Sequence, residues 1–252
     1  MDSILHNKNK QGNFIFSLKK RIFFILVNIP FWEKIYLNKI HGFKPLSSCA
    51  PAMLKKVFKI ANELGTLKKS DYFEFGIYNG GSIIHAQQNA KKLNATKIKF
   101  FGFDSFEGLP TIGKKDEKGY LYQGKYACSK ENVMNNLINN GGDMHTIKLI
   151  EGFFNKSLKK SLIKKYRMRK IAIAYIDCDL YTSTKDVLVF IKNLLIKNSL
   201  IIFDDWDISS EKNRIKGGQL AFKEFCKANP NIKFIPEFAF CWHGKVFRVS
   251  NI

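Results

Sequence analysis

The chain has 252 residues, 45% of them hydrophobic, which fits one α/β domain with an extension. Its 42 basic and 21 acidic residues give a net charge of +21, which indicates either an anionic partner or a lysine-rich solvated surface. The five cysteines are widely spaced and form no Cys-x-x-Cys pair. We therefore expect neither a disulfide framework nor a structural zinc site, and a reducing cytosol fits best.

Residues 1–45 are interpreted as a basic and apolar accessory segment ahead of a domain that occupies residues 46–252. We expect no cleavable signal peptide, and no stretch reaches the roughly 18–20 apolar residues that span a bilayer. The apolar run 22–32 contains Asn28 and Pro30 and follows three basic residues. It could lie on an anionic membrane face, pack on the domain or join two protomers. The expected location is the cytoplasm, with peripheral contact to the inner face of the membrane as one alternative.

Apolar periodicity predicts the secondary structure of the domain. Helical spacing indicates helices over 53–64, 82–93, 131–139, 158–166, 184–196 and 219–228. Short apolar runs indicate strands over 72–75, 98–103, 146–150, 171–176, 200–203, 232–235 and 238–249. Five β–α alternations followed by a β–β pair predict a Rossmann-like α/β fold. Its sheet is doubly wound, mostly parallel and seven-stranded, and it ends in an antiparallel hairpin.

A glycine-rich turn, EFGIYNGGS (74–82), follows the first predicted strand and opens a helix. Glycines let the backbone turn sharply and approach a ligand, although such a turn could also be a plain tight connection. Asp104 ends the second predicted strand, where an acidic residue can bind the two hydroxyls of an adenosine ribose. The spacing of Gly76, Gly80 and Gly81 does not match G-x-G-x-x-G, which argues against a nicotinamide dinucleotide. The long polar loop 108–127 is expected to cover a substrate.

Two acidic pairs follow neighbouring predicted strands: Asp177 and Asp179 after 171–176, and Asp204 and Asp205 after 200–203. Residues two apart on a strand point to one face, and the carboxyl ends of parallel strands meet at one edge of the sheet. Four carboxylates so close would repel one another, and a divalent cation would relieve the repulsion. Oxygen ligation favours Mg²⁺, or else Mn²⁺ or Ca²⁺. The alternative is that these residues cap helices.

Several ordered segments resemble the macrocin O-methyltransferase family, which methylates sugar hydroxyls of macrolide and aminocoumarin natural products. The resemblance covers about residues 45–250 and includes the closing Trp242. The matching segments are FEFGIYNGGS (73–82), FGFDSFEGLP (101–110), YACSKENVMNNL (126–137), IEGFFNKSL (150–158), AYIDCDLYTST (174–184), IIFDDWD (201–207) and GGQLAFKEF (217–225). The resemblance implies a class I methyltransferase fold, S-adenosyl-L-methionine as the methyl donor and a magnesium site.

By motif position, the resemblance implies that Asp177, Asp204 and Asp205 hold the metal ion. Asp179 would be the general base, and an exchange of roles between Asp177 and Asp179 stays open. The implied cofactor residues lie at the methionine end (Glu74, Gly76 and Ser82, with Gly80 and Gly81 in the same turn), at the ribose (Asp104 and Ser105), beside the adenine (Glu151 and Gly152) and at Ser129. Departures from the family pattern at Tyr78, Asn79 and Trp206 concern the substrate side.

Other functions and partners are weighed against this interpretation. The charge of +21 raises the possibility of an RNA methyltransferase, but an acidic metal-binding mouth would repel phosphates, so nucleic acid is not expected. A non-catalytic module that retains the fold is the second alternative. His243 is a competing candidate for the base, although a surface histidine at a strand end is the simpler interpretation. The acceptor could be the hydroxyl of a glycan, a glycolipid precursor or a secondary metabolite, and a homo-oligomer stays open.

Overall fold

The computed structural model describes residues 49–113, 116, 121–207, 217–241 and 243–252. The accessory segment 1–45, part of the loop 108–127 and Trp242 lie outside the described residues, so the predictions for them stay predictions. In the part of the chain that is described, no helix is both long and apolar enough to cross a membrane.

The described residues form a mixed seven-stranded sheet with the strand order β3-β2-β1-β4-β5-β7-β6. The first five strands pair in parallel, and β7 runs antiparallel between β5 and β6. The strands are β1 (Ser70–Phe75), β2 (Phe100–Asp104), β3 (Ile147–Glu151), β4 (Lys170–Ile176), β5 (Leu200–Phe203), β6 (Lys233–Phe240) and β7 (Gly244–Asn251). The predicted doubly wound sheet with its terminal antiparallel hairpin is confirmed.

Seven α-helices connect and cover the strands within the described ranges. They are α1 (Ala50–Glu63), α2 (Gly81–Lys92), α3 (Lys130–Asn139), α4 (Phe154–Ser157), α5 (Ser161–Lys165), α6 (Tyr181–Ile191) and α7 (Gly217–Ala228). Strands β1 and β5 are buried along their whole length and β4 along all but its first residue, as strands covered on both faces must be. Helix α1 packs against α2, and α6 packs against α7.

Helix α1 illustrates how the sequence determines an element. Its buried residues recur every three or four positions and form one apolar stripe: Met53, Leu54, Val57, Phe58 and Ala61. Gly65 follows the helix with a φ of 73°, a left-handed conformation that favours glycine and ends the helix where the sequence predicts.

Two predicted elements are wrong in extent. Of the helix predicted over 158–166, only the short α5 is helical, and a further short helix, α4, lies just before the predicted range. The strand predicted over 238–249 contains a chain reversal, because Cys241 has a φ of 50° and β6 and β7 pair on either side of the turn. The ring of Phe240 packs so closely on Gly244 that a Cβ there would lie 2.1 Å from it. An apolar run gives no sign of a reversal made by packing of this kind.

Aromatic packing fixes the carboxyl ends of the central strands. Phe75, the last residue of β1, stacks on Phe103 of β2 with ring centroids 4.7 Å apart. Phe203, the last residue of β5, packs 5.2 Å from Trp206 and 5.1 Å from Phe222 of α7. Buried aromatic pairs contribute beyond the area they remove from water. The residues that follow β1, β2 and β5 therefore start from well-packed strand ends.

The structure contains one disulfide, between Cys49 at the start of α1 and Cys241 in the β6–β7 turn. Their Cα atoms are 6.0 Å apart although 192 positions separate them along the chain. The expectation drawn from cysteine number and spacing is wrong for this pair. Sequence spacing carries no sign of a contact that only the folded sheet and helix create.

Breaking this disulfide is expected to destabilise the domain. A cross-link that closes so long a loop restricts the unfolded chain, and its loss costs about 2–5 kcal/mol in free energy of unfolding. Cys241→Ser should therefore unfold at a lower urea concentration than the oxidised wild type and should no longer respond to reductant. Cys226→Ser, which alters an unpaired cysteine of α7, is the control and should keep the wild-type response. Equal midpoints for oxidised wild type and Cys241→Ser would contradict this role.

Candidate active site

Two acidic pairs leave the sheet at the same edge, after the adjacent strands β4 and β5. Ile176, which ends β4, pairs in register with Phe203, which ends β5. The Asp204 N–H donates to the Ile176 carbonyl at 3.1 Å, and the Asp177 N–H donates to the carbonyl of Phe75 at 2.9 Å. The first acid of each pair is thus hydrogen-bonded to a neighbouring strand, and the carboxyl ends of β1, β4 and β5 meet there.

The alternation predicted for Asp177 and Asp179 does not describe their geometry. Strand β4 ends at Ile176, so both aspartates lie in the connection to α6. Asp179 has a φ of 56°, in the left-handed region, rather than the extended conformation of a strand. Its N–H donates to Asp205 Oδ2 at 3.2 Å, which links the two acidic pairs. A tight loop, and not the pleat of a strand, brings the carboxylates together.

The carboxylates strongly affect one another. Burial raises the pKa of Asp177 well above its usual range, and the nearby charges of Asp204, Asp205 and Asp179 raise it further. Burial raises the pKa of Asp179 from 3.8 to about 7, with repulsion from Asp204 in the same direction and the positive charge of Lys125 in the opposite one. Such mutual repulsion marks a site suited to a positive ligand.

Two side chains outside the predicted set orient Asp204. The hydroxyl of Tyr175 donates to Asp204 Oδ1 at 2.7 Å, and Nδ1 of His243 lies 2.7 Å from the Asp204 carbonyl oxygen. Asp204, Asp205 and His243 each place one potential ligand atom within 4.8 Å of the others. The sequence could have indicated Tyr175 as a site residue, because its hydroxyl is the one side-chain polar group in the apolar run IAIAYI at 171–176. The sequence named His243 only as a competing candidate for the base, not as a partner of Asp204.

The glycine-rich turn lies directly beside this acidic edge. Gly76 has a φ of 83°, and a Cβ at this position would lie 1.8 Å from the carbonyl oxygen of Asp177. Only glycine lets the chain pass so close to the end of β4. Gly80 precedes α2 with a φ of 88°, and the Gly81 N–H, at the first residue of α2, donates to the Asn79 side chain at 3.2 Å. The turn and the carboxylates form one continuous surface.

Asp104 holds the glycine turn in place. Its carboxylate accepts hydrogen bonds from the N–H groups of Ile77 at 2.8 Å, Tyr78 at 3.2 Å and Phe106 at 2.8 Å. Burial raises the pKa of Asp104, while these N–H groups act in the opposite direction. The adjacent Ser105 hydroxyl donates to the Gly108 carbonyl at 2.7 Å and so belongs to the following turn.

Glu74 is a fully buried acid at the base of the same turn. Its carboxylate accepts hydrogen bonds from the hydroxyls of Tyr72, at 2.5 Å, and of Ser82. Burial raises the pKa of Glu74 from 4.5 to about 8, even though both hydrogen bonds act in the opposite direction. Ser82 lies in the first turn of α2, so this contact joins the helix to β1.

The remaining predicted cofactor residues lie farther along the same edge. Glu151 pairs in register with Asp104 and forms an ion pair of 3.2 Å with Lys130 at the surface. The Gly152 N–H donates to the Asp104 carbonyl at 2.9 Å. Ser129 caps α3 by accepting from the Asn132 N–H at 3.2 Å, which is a structural use of its hydroxyl.

Lys125 is a buried cation that the sequence did not single out. Only 2% of its surface is exposed, and its ammonium lies 5.3 Å and 5.4 Å from the ring centroids of Tyr122 and Tyr126. Its carbonyl accepts from the Leu109 N–H at 2.9 Å, so the two described ends of the loop 108–127 pair with each other. The charge of Lys125 favours the ionised form of Asp179.

A small open cleft lies beside the acidic pairs. Its lining includes two carboxylates together with apolar side chains, and the lining residues are Ile176, Cys178, Asp179, Thr184, Phe203, Asp205, Trp206 and Gly218.

The strand order, with its antiparallel hairpin at the end, matches the fold of class I methyltransferases. The O-methyltransferase NovP has this fold, with a TM-score of 0.66 at 17% identity over 94% of this chain and 100% of that chain. The calicheamicin methyltransferase CalS11 has a TM-score of 0.62 at 18% identity over 92% of this chain and 91% of that chain.

The model of the family described as macrocin-O-methyltransferase (TylF) matches residues 59–243, and the chain belongs to this family. One relative is the 8-demethyl-8-(2,3-dimethoxy-alpha-L-rhamnosyl)-tetracenomycin-C 4'-O-methyltransferase of Streptomyces olivaceus, 25% identical over 151 residues. Another is the demethyldecarbamoylnovobiocin O-methyltransferase of Streptomyces niveus, 25% identical over 153 residues. Both alignments cover 58% of this chain and 56% of the relative, little more than half the length of each relative.

The buried Glu74 predicts a distinct pH dependence of stability. Its pKa of about 8 in the folded state exceeds that of an exposed glutamate, so the folded chain binds more protons than the unfolded chain between about pH 5 and 8. Across that range Glu74 should lower the free energy of unfolding by about 1.4 kcal/mol for each pH unit gained. Urea unfolding of Glu74→Gln without cofactor should lack this decline. The free energy of unfolding of the variant should therefore increase relative to that of the wild type as pH rises. Parallel pH profiles for the two proteins would contradict the burial effect.

Proposed function

We propose that the chain is an O-methyltransferase that uses S-adenosylmethionine and Mg²⁺ to methylate a sugar hydroxyl. The observation that carries the proposal is the packing of a glycine-rich turn against a cluster of mutually repelling carboxylates, with Gly76 in contact with the backbone of Asp177. One side of this contact suits an adenosyl cofactor, and the other suits a cation and a polyol.

The relatives support the substrate class. Both carry names of O-methyltransferases, and one name specifies the 4'-oxygen of a rhamnosyl group. The cleft beside the carboxylates is lined by both polar and apolar residues, which supports a polyol acceptor. The proposed acceptor is therefore a sugar hydroxyl on a small molecule or a glycan.

The proposed cofactor site follows the carboxyl ends of β1, β2 and β3. Glu74, Gly76 and Ser82 would lie at the methionine end, and Asp104 at the ribose. Asp104 already accepts three N–H groups, two at Oδ2 and one at Oδ1, so Oδ1 keeps capacity for a further bond. Ser105 and Ser129 have hydroxyls engaged in local structure, so we assign them to shaping the site.

The proposed metal ligands are Asp177, Asp204 and Asp205. Carboxylate oxygens are the donors that Mg²⁺ and Mn²⁺ prefer, and a cation would offset the burial and the carboxylate repulsion that together raise the pKa of Asp177. When bound, the ion would lower the pKa of the acceptor hydroxyl and fix its direction, while S-adenosylmethionine would supply an activated methyl group.

Asp179 is the proposed general base. The acceptor oxygen forms a bond to the methyl carbon as the carbon–sulfur bond breaks, and the hydroxyl proton passes to the Asp179 carboxylate. Asp179 lines the cleft, and its pKa of about 7 lies near the pH at which a base transfers protons most effectively. Its backbone N–H bond to Asp205 holds it next to the proposed metal ligands. Positioning of the two reactants contributes up to about 7–11 kcal/mol in ideal cases.

Removal of divalent cations tests the metal requirement. The assay follows transfer of the labelled methyl group from [methyl-³H]-S-adenosylmethionine to a set of rhamnosides and other deoxyhexosides. We expect this transfer to stop in EDTA and to return with excess Mg²⁺. Asp204→Asn should lose the Mg²⁺ response but retain S-adenosylmethionine binding in calorimetry, because the cofactor contacts lie on β1 to β3. Transfer that persists unchanged in EDTA would contradict the metal proposal.

Substitution of the proposed base tests the mechanism. Asp179→Asn removes the proton acceptor and should lower kcat by about 10²–10⁴-fold. The affinity for S-adenosylmethionine should stay within about threefold of the wild-type value, since Asp179 is not among the proposed cofactor residues. Asp186→Asn, on α6 and outside the cluster, is the matched control and should leave kcat unchanged. A kcat for Asp179→Asn close to that of the control would exclude Asp179 as the base.

A further inference from the structure

Helix α6 begins without a side-chain cap of its own. Leu180 stands at its N-cap position and offers no side-chain acceptor, and the first turn contains no acidic residue. The first N–H groups of an α-helix have no partner within the helix, so acceptors from elsewhere satisfy them. Asp179, the proposed general base, comes immediately before Leu180. The way in which α6 begins therefore affects where Asp179 is held.

Asp116, in the loop 108–127, supplies an acceptor at this helix start. Its Oδ1 atom accepts the Thr182 N–H at 3.2 Å, and its Oδ2 atom accepts the Thr182 hydroxyl at 3.0 Å. Thr182 is the second residue of α6, so Asp116 caps the helix from 66 positions away along the chain. A carboxylate at a helix N-terminus also interacts favourably with the helix dipole.

Asp116 is itself fixed within the loop. Its Oδ2 atom also accepts the Gly113 N–H at 3.2 Å, and its own N–H donates to the Gly113 carbonyl at 3.1 Å. A Cβ at Gly113 would lie 2.8 Å from Oδ2 of Asp116, so glycine permits this close contact. Only 1% of the surface of Asp116 is exposed, so water competes little for its oxygens. The cap on α6 is therefore a buried, restrained carboxylate.

Asp179 lies in a tight turn between β4 and α6. Its φ of 56° is in the left-handed region, and the Leu180 N–H closes the turn by donating to the Cys178 carbonyl. The Asp179 N–H donates to Asp205 Oδ2 at 3.2 Å. The turn is thus held on one side by Asp205 and on the other side by the start of α6. Loss of the cap would let the first turn of α6 fray and would remove the second of these supports.

We propose that Asp116 is a positioning residue for methyl transfer, because it holds Asp179 in place through the first turn of α6. The inference rests on the role of Asp179 in the proposed function. It adds a residue that belongs neither to the proposed cofactor contacts nor to the proposed metal ligands. The effect of Asp116 is geometric, since a displacement of about 1 Å caused by a mutation away from the chemistry can cost about 10²-fold in rate.

Steady-state kinetics of Asp116→Ala, measured well below its unfolding temperature, test this role. We expect kcat to fall about 10–100-fold while the Kd for S-adenosylmethionine stays within about threefold, since the proposed cofactor contacts lie on β1 to β3. Asp143→Ala is the matched control and should leave kcat unchanged. The Asp143 carboxylate accepts the His145 N–H at 3.0 Å in the turn before β3, at the opposite end of the strands from the acidic edge.

Variants of Thr182 test the same contact from the helix side. Thr182→Val keeps the backbone N–H bond to Asp116 but loses the hydroxyl bond, and it should lower kcat by about 2–10-fold. Thr182→Ser retains the hydroxyl and should keep the wild-type kcat. Thr182 is exposed, so these variants are expected to fold even if Asp116→Ala does not.

A double-mutant cycle separates positioning of Asp179 from a purely structural role. If Asp116 acts through Asp179, then Asp116→Ala should cause little further loss of kcat in the Asp179→Asn background. Equal fold losses in the two backgrounds would overturn this inference and leave the proposed base standing. A wild-type kcat for Thr182→Val, or for an Asp116→Ala enzyme that is only less stable, would overturn it too. A wild-type kcat for Asp179→Asn alone would overturn the proposed base, and this inference with it.

Discussion

The repulsion among carboxylates at the ends of β4 and β5 is the constraint on which the rest of the site depends. Two like charges about 4 Å apart cost roughly 4 kcal/mol at the effective dielectric found near protein surfaces. The folded chain accepts this repulsion because the sheet beneath it is rigid, with Phe203 and Phe75 packed into aromatic clusters at the strand ends. Burial raises the pKa of Asp177, and this repulsion raises it further. A bound cation would remove this repulsion, and its relief would contribute to the affinity for the cation.

The glycine-rich turn and the acidic cluster are held together by direct backbone contacts. Gly76 touches the carbonyl of Asp177, and the Asp177 N–H is bonded to the residue just before Gly76. Asp104 holds the other side of the turn through the N–H groups of Ile77 and Tyr78. A shift in either half would therefore displace the other. In the proposed function, this coupling would hold the methyl donor and the acceptor hydroxyl in a fixed relation.

The sequence predicted the strands and the doubly wound layout because uninterrupted apolar runs and helical periodicity are local signals. The acidic pairs followed from their place after two such runs. It misjudged features that arise from tertiary contact. The disulfide partner of Cys49, the bond from Tyr175 to Asp204 and the approach of Lys125 to Asp179 join residues far apart in the chain. Strand alternation was the wrong reason for the acidic cluster, because β4 ends one residue before it.

The central claim is that the acidic edge binds a divalent cation next to the cofactor turn. Crystals grown with Mn²⁺ and S-adenosylhomocysteine, measured at the manganese absorption edge, test it most directly. The account predicts one anomalous peak within about 2.0–2.6 Å of carboxylate oxygens of Asp177, Asp204 and Asp205, beside a nucleoside that lies along the ends of β1 and β2. Strong S-adenosylhomocysteine density without any anomalous peak at these aspartates would contradict it.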